Sequence, residues 1–114
     1  MEFFAYHGCL VEEQLTGNNF MVDVTLDYDM KKASASDDLH DALNYAEACE
    51  LVKTEMLVRS HLLEHLSSRI LDRLFERFPE LSSAEVCVAK LNPPISGQMR
   101  SVSVSQKRER YEKF

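Results

Sequence analysis

Apolar and polar residues alternate along three stretches of the chain, a pattern typical of strands with one buried and one solvated face. The longest stretch covers residues 19–30, and its apolar positions are Phe20, Val22, Val24, Leu26 and Tyr28. The two others cover residues 85–90 and 101–105. An aromatic-rich strand is predicted ahead of them at residues 2–7, and a polar connection over residues 8–17 is expected to join it to the longest strand as an antiparallel pair.

Between the two strand pairs, apolar residues recur at helical spacing. A first helix is predicted from Asn44 to about residue 58, because Asn44 followed by Glu47 forms an Asn-type variant of a capping box. A second helix is predicted from about residue 62 to 78, with an apolar stripe of Leu63, Leu66, Ile70, Leu74 and Phe78. The polar segment 31–40 is predicted to be a loop with one helical turn, and the charged tail 107–114 is expected to fray.

The predicted order is ββααββ, which defines an α+β fold: a four-stranded antiparallel sheet with two helices on one face. At 114 residues the chain fits a single domain, residues 1–114. This arrangement leaves both sheet edges unpaired and the second face of the sheet uncovered. That face carries the polar side chains of Asp23, Thr25, Asp27, Ser101, Ser103 and Ser105. A ring of several subunits would pair the edges and turn the polar face into a wet lumen.

The composition excludes several kinds of partner. A net charge of −6 provides no basic surface for a phosphate backbone, so nucleic acid is not expected. Cys9, Cys49 and Cys87 are odd in number and widely spaced, which argues against a disulfide framework or a thiolate zinc site and favours a reducing cytoplasm. No apolar stretch is long enough for a membrane span, and no export signal is recognised at the amino terminus. The expected partner is a small molecule or another protein.

A lysine at a strand end is the first candidate for chemistry. Lys90 closes an alternating run, and the segment after it, which contains Asn92, Pro93, Pro94 and Gly97, cannot continue a strand. The prolines and the glycine turn the chain away sharply, which is expected to leave the amine facing open space. Taken alone, a solvated lysine beside a turn is the commoner interpretation, so a catalytic role for Lys90 needs support from other residues.

Five motifs, in order along the chain, carry a resemblance to a known family. They are Tyr6-His7-Gly8, a following Glu13, Asp41-x-x-Asn44-Tyr45, Leu62-Leu63-Glu64-His65-Leu66 and Lys90-x-Asn92-Pro93-Pro94-x-x-Gly97. Together they resemble the dihydroneopterin aldolases, the small pterin enzymes of folate biosynthesis, over about residues 3–105. Each motif is weak singly, but their order and their placement on the predicted elements make the resemblance specific.

The resemblance implies a tunnelling fold, in which four subunits join their sheets into one barrel and two such rings often stack. The expected assembly is therefore a homo-oligomer, a tetramer or an octamer, with pterin sites between neighbouring subunits. The implied reaction converts 7,8-dihydroneopterin into 6-hydroxymethyl-7,8-dihydropterin and glycolaldehyde, without a metal, a cofactor or a lysine Schiff base. The substrate's own ring C=N receives the electrons of the broken bond, so the protein has only to move protons and hold the ring. Epimerisation of the substrate side chain is an expected companion activity, because re-addition of glycolaldehyde on the other face reverses the same step.

The resemblance assigns pterin binding to Glu64, with backbone groups around Leu43 and Leu63 completing the recognition. Glu64 lies in the first turn of the second predicted helix, where the positive end of the helix dipole favours an ionised carboxylate. A carboxylate at this place can accept two hydrogen bonds from an amino-pyrimidinone edge. Without the other motifs, the same Glu would be interpreted as a residue that only stabilises the start of its helix.

The resemblance assigns the catalytic steps to three further side chains. Lys90 relays protons at the substrate's side-chain hydroxyl, and Glu13 lies near that lysine and the substrate hydroxyls, where it also contributes to binding. Tyr45 reaches in from a neighbouring subunit and assists protonation of the enol that cleavage leaves. On this chain alone, Tyr45 could equally be an aromatic residue packed at a helix start. Two interpretations remain open for His7: it takes part in the site, or it belongs to a turn whose hydrogen bonds are satisfied.

Two alternative functions compete with this interpretation. His61, Glu64 and His65 fit the inverted zinc-peptidase pattern H-x-x-E-H. A peptidase of that class needs a further protein ligand and a cleft that a domain of this size would struggle to supply. The other alternative is a catalytically silent, ring-forming module that binds a pterin or a protein. Such a module would keep the core pattern and Glu64 and lose Lys90, Tyr45 or Glu13, and all three are present.

The chain departs from the family pattern at its amino terminus. Family members usually carry roughly eight more residues before the position of Met1, which form most of the first strand. Two explanations are open: the sequence starts inside a longer reading frame, or the first strand is shortened. A shortened first strand is expected to weaken ring closure and the site between subunits, because several ladder hydrogen bonds would be lost in each subunit.

Overall fold

The computed structural model describes residues 1–8, 17–91 and 101–110, and the strands and helices fall within these ranges. The strands are β1 (Glu2–Ala5), β2 (Asn18–Tyr28), β3 (Leu81–Leu91) and β4 (Ser101–Glu109). The helices are α1 (Lys31–Ser36), α2 (Tyr45–Met56) and α3 (Leu63–Arg77), with a 3₁₀ turn at Leu39–Asp41. The connection 9–16, the turn 92–100 and the end of the tail, 111–114, lie outside the described residues.

The four strands form one antiparallel sheet in the order β1-β2-β3-β4, so β1 and β4 are its edges within the described chain. The predicted order of strands and helices and the α+β fold class are confirmed. Phe20 of β2 pairs with Lys90 of β3, which in turn pairs with Val102 of β4. This register places Lys90 on the same sheet face as the fully buried Phe20.

The core lies between that sheet face and the two long helices. Helix α2 buries Ala48, Val52 and Met56 against it. The apolar stripe predicted for α3 is confirmed, since all of its members are buried: Leu63, Leu66, Ile70, Leu74 and Phe78. The opposite sheet face carries the exposed side chains that the alternation predicted: Asp23, Thr25, Asp27, Ser101, Ser103 and Ser105. The amphipathic patterns were sufficient here because burial on one face follows directly from a period of 2 or 3.6.

Several predicted boundaries were wrong. Strand β3 begins at Leu81 rather than at residue 85, and β2 ends at Tyr28 rather than at residue 30. Two further differences follow from a contact distant in sequence and from local capping. Strand β1 ends at Ala5 rather than at residue 7, since the next residues turn inward and the Gly8 amide donates to the carbonyl of Ser60 at 3.0 Å.

Segment 31–40 is more helical than predicted. Helix α1 ends at Ser36 and is followed by Asp37, whose φ of 53° is left-handed. Asp38 then caps the 3₁₀ turn by accepting from the His40 amide at 3.0 Å.

The predicted fraying of the tail was also wrong for residues 107–110. Strand β4 continues to Glu109, and the Arg110 guanidinium then caps the end of α3. Its Nη2 donates to the Phe75 carbonyl at 2.7 Å, and its Nε donates to the Leu81 carbonyl at 2.9 Å. The bond to Phe75 satisfies a carbonyl group that the end of a helix otherwise leaves without a partner, and the bond to Leu81 ties the same guanidinium to the start of β3.

The capping box at the start of α2 is half formed. The Asn44 Oδ1 accepts from the amides of Ala46 and Glu47 at 3.1 and 3.2 Å, as predicted. The Glu47 carboxylate pairs instead with Arg77 of α3. The return half of the box was therefore predicted wrongly, because a cation on the neighbouring helix is available to this carboxylate.

Two further findings concern the described part of the chain. None of its helices is long and apolar enough to cross a membrane. Cys49 and Cys87 are free cysteines, while Cys9 lies outside the described residues.

Candidate functional site

Lys90 lies one residue before the end of β3 and is partly buried. The strand-end position agrees with the sequence prediction, but the surroundings differ from the open space that was expected. The register places Lys90 on the helix-facing side of the sheet, and its ammonium is close enough to His7 to act on the charge of that imidazole. The turn that follows, with Asn92, Pro93, Pro94 and Gly97, lies outside the described residues.

His7 is 1% exposed and packs edge-to-face on Phe20, with the ring centroids 5.4 Å apart. Its Nδ1 accepts from the Ser60 amide at 3.0 Å, so the ring proton lies on Nε2, which donates to the Met56 carbonyl at 3.0 Å. Both ring nitrogens are therefore used in holding the α2–α3 loop, residues 57–62, to the end of β1. The structure confirms the second interpretation of His7, that it belongs to a turn whose hydrogen bonds are satisfied.

Burial lowers the pKa of His7 from 6.5 to about 4, and the charges of Arg69 and Lys90 act in the same direction, against the opposing bond to the Met56 carbonyl. Because the folded-state pKa lies below the unfolded value, the unfolded chain binds more protons as the pH falls below 6.5. His7 should therefore lower the free energy of unfolding progressively as the pH falls from 6.5 to 4, and it should have no effect on it above pH 6.5. The full effect is roughly 3 kcal/mol.

We expect His7→Gln, which keeps a donor and an acceptor but cannot titrate, to flatten this part of the pH dependence of unfolding. The measurement is the free energy of unfolding in urea, at a fixed protein concentration, above pH 6.5 and near pH 4. His40→Gln is the matched control, because His40 is exposed and pairs with Asp38. If the free energy of unfolding falls equally with pH in the His7→Gln variant and in the parent protein, His7 is not the group that causes the fall.

The start of α3 presents a carboxylate beside an uncapped helix end. Glu64 is the second residue of the helix and is exposed, while Leu63 before it is buried. No side chain of the described residues caps this helix, in contrast to α2, whose first amides are bonded by Asn44. The carbonyl of Glu64 accepts from Ser67 Oγ at 3.0 Å and from Gln106 Nε2 at 3.2 Å, which fixes the turn to β4. The arrangement offers an anion and outward-pointing amides to a ligand with a donor and acceptor edge.

Leu43 and Tyr45 flank the Asn44 cap in opposite environments. Leu43 is buried in the core, whereas Tyr45 is 76% exposed. The Tyr45 ring borders a shallow, largely apolar pocket shared with Met1, Val24 and Leu26. Most of the Tyr45 side chain is thus accessible to solvent. Glu13, the remaining predicted site residue, lies outside the described residues.

The structure links two of the predicted site regions through residues that the sequence did not single out. Ser60 bonds to His7, which lies near Lys90, and Ser60 Oγ is 3.0 Å from Nδ1 of His65, the residue after Glu64. Arg69 of α3 donates to the same hydroxyl from Nη2 at 2.9 Å. Neither Arg69 nor Ser60 belongs to a motif that the sequence pattern identified.

The alternative zinc pattern has one of its histidines in this network, since His65 Nδ1 is bonded to Ser60. Within residues 1–8, 17–91 and 101–110, no group of three or more His, Cys, Asp or Glu side chains is arranged to hold a metal ion.

Comparison with known proteins gives the family. The profile of the family described as dihydroneopterin aldolase matches residues 1–107. Dihydroneopterin aldolase from Streptococcus pyogenes serotype M18 is 37% identical over 112 residues, which are 95% of this chain and 92% of that protein. This chain belongs to the dihydroneopterin aldolase family, as the motifs predicted.

Two crystal structures share the fold. FolB from Vibrio cholerae superposes with a TM-score of 0.87 at 25% identity, over 96% of this chain and 92% of that one. Escherichia coli dihydroneopterin aldolase, solved in complex with neopterin, superposes with a TM-score of 0.84 at 24% identity, over 94% and 91% of the two chains. The predicted tunnelling-type subunit, a four-stranded antiparallel sheet with helices, is therefore confirmed.

Proposed function

We propose that this protein is a dihydroneopterin aldolase that cleaves 7,8-dihydroneopterin into 6-hydroxymethyl-7,8-dihydropterin and glycolaldehyde. Family membership over residues 1–107 is the observation that carries the proposal. The presence of Lys90, Tyr45 and Glu64 in the family's motifs supports it. The neopterin bound to the Escherichia coli relative is a ligand of the same chemical class.

Glu64 is the proposed anchor of the pterin ring. Its carboxylate would accept hydrogen bonds from the amino group and a ring N–H of the pyrimidinone edge, and its exposure at the start of α3 leaves it accessible for this role. Backbone groups around Leu63 and Leu43 complete the recognition. Bidentate bonds to a carboxylate are strong and directional, so they supply both affinity and orientation.

Lys90 is the proposed proton relay, assisted by Glu13. Removal of the proton from the hydroxyl on the second side-chain carbon turns that C–O into the aldehyde carbonyl of glycolaldehyde. The bond between the first and second side-chain carbons then breaks, and its electron pair passes through the first carbon into the adjacent ring C=N. The fragment that leaves is glycolaldehyde, and Tyr45 of a neighbouring subunit assists protonation of the enol that remains. The ring supplies the electron sink, so the protein's contribution is positioned acid-base catalysis.

A homo-oligomeric ring, tetrameric or octameric, is the proposed assembly. Strands β1 and β4 form the edges of the described sheet, and pairing them between subunits would close it. The 76% exposure of Tyr45 supports a site shared between subunits, because a side chain this accessible can contact a neighbouring chain. A reducing cytoplasm stays the proposed location, since Cys49 and Cys87 are free thiols.

The test is incubation of the chelator-treated protein with 7,8-dihydroneopterin, followed by chromatography of both products. Equal amounts of 6-hydroxymethyl-7,8-dihydropterin and glycolaldehyde are expected. Recovery of the substrate epimer in the same reaction would reveal the companion epimerase activity. No turnover by a folded oligomer that binds neopterin would instead favour the catalytically silent module.

A further inference from the structure

Ser60 is a four-way hydrogen-bond junction in the α2–α3 loop. It is buried, its amide donates to His7 Nδ1 at 3.0 Å, and its carbonyl accepts from the Gly8 amide at 3.0 Å. Its hydroxyl oxygen accepts from Arg69 Nε at 3.2 Å and from Arg69 Nη2 at 2.9 Å. Because a guanidinium can only donate, the single hydroxyl proton is left to bond His65 Nδ1 at 3.0 Å.

Arg69 also bonds the end of α2 at two points and the loop at one. Its Nη1 donates to the carboxylate of Glu55 at 2.8 Å and to the Glu55 carbonyl at 3.3 Å, and its Nη2 donates to the Val58 carbonyl at 2.7 Å. The side chain is largely buried, so these bonds are little weakened by water. A planar guanidinium, with its donors in a fixed fork, can bridge the helix end and the loop in one rigid geometry.

We propose that Arg69 and Ser60 are positioning residues for pterin binding. The chain of bonds runs from Arg69 through the Ser60 hydroxyl to His65, the residue that directly follows Glu64. It therefore fixes the first turn of α3, and with it the direction of the Glu64 carboxylate. This inference rests on the proposed function, because Glu64 is taken to hold the pterin.

A positioning role and a purely structural role make different kinetic predictions. Loss of orientation at Glu64 weakens substrate and product binding, while the proton relay at Lys90 lies on β3 and stays in place. The Ser60→Ala change removes the hydroxyl alone, and it leaves the amide bond to His7 and the carbonyl bond from Gly8 intact. A structural role alone would lower stability without moving the KM.

The variants to make are Ser60→Ala and Arg69→Gln. In folded proteins, the KM for dihydroneopterin and the Kd for neopterin are expected to rise about tenfold, with kcat within about twofold of the parent. The double variant should be little worse than the worse single one, because both changes interrupt one network.

Arg73→Gln is the matched control. Arg73 is one turn further along α3 and also pairs with Glu55, at 3.7 Å. Its hydrogen bond runs to Glu76 and does not involve Ser60. Its variant should keep the parent KM and Kd, which separates the Ser60 contact from the loss of a cation beside Glu55.

Each outcome decides the proposal. Unchanged KM and Kd in folded Ser60→Ala and Arg69→Gln proteins, or an equal rise in Arg73→Gln, would overturn the positioning role while leaving the aldolase assignment standing. Parent protein that neither cleaves dihydroneopterin nor binds neopterin would overturn the proposed function and this inference together. If Arg69→Gln does not fold, Ser60→Ala decides alone, because it removes one hydroxyl from a loop that keeps its backbone bonds.

Discussion

Lys90→Ala is expected to lower kcat for dihydroneopterin cleavage by about 10²–10⁴-fold, the usual contribution of a positioned acid-base group. The Kd for neopterin should change by no more than about threefold, because the role proposed for the lysine is at the substrate's side-chain hydroxyl, while the ring is proposed to be held by Glu64. The partly buried position of Lys90 at the end of β3 supports this role, since the strand limits where the amine can go.

The measurement is steady-state turnover of dihydroneopterin together with equilibrium binding of neopterin, for the parent protein and the variant. Lys107→Ala is the matched control, because Lys107 is a strand lysine on the exposed face of β4 that pairs with Glu109. The Lys107→Ala variant should keep the kcat and the Kd of the parent protein. If Lys90→Ala raises the Kd as strongly as it lowers kcat, Lys90 holds the substrate rather than relaying its proton.

Glu64→Ala should show the reverse pattern, a KM and a Kd raised by about 10²-fold with a smaller loss in kcat. Removal of a bidentate, charge-assisted pair costs about 3 kcal/mol, which corresponds to that factor. Glu64→Gln should lie between the parent and Glu64→Ala, because the amide keeps one acceptor and places a donor where the ligand also donates.

The controls for Glu64 separate binding from helix stability. Glu50→Ala removes an exposed helical carboxylate from α2 and should leave KM unchanged. Thermal unfolding of Glu64→Ala shows how much the charge stabilises the start of α3. A loss of stability with an unchanged KM would support the simpler interpretation of Glu64, and equal losses in both constants for Lys90 and Glu64 variants would refute the division of roles.

Several parts of this protein follow from the sequence alone. The alternation at residues 19–30 and the stripe on α3 are local patterns, and each predicted the buried face correctly because periodicity fixes which side chains share a side. The Asn44 cap was likewise predictable, since its bonds reach only two and three residues ahead. The motifs around Tyr45, Glu64 and Lys90 gave the family because each combines residue type with spacing.

The tertiary structure decided what depends on residues far apart in the chain. Arg110 caps α3 from 35 residues away through the Phe75 carbonyl, so an end that looked free to fray is held. His7 bonds the amide of Ser60 across 53 residues, and its imidazole is close enough to Lys90 for the lysine charge to lower the pKa of His7. No local pattern encodes such pairs, because their partners are set by strand register and helix packing. The sequence thus determined the elements, their buried faces and the family, and only packing brought Arg69, Ser60 and the start of α3 into one network.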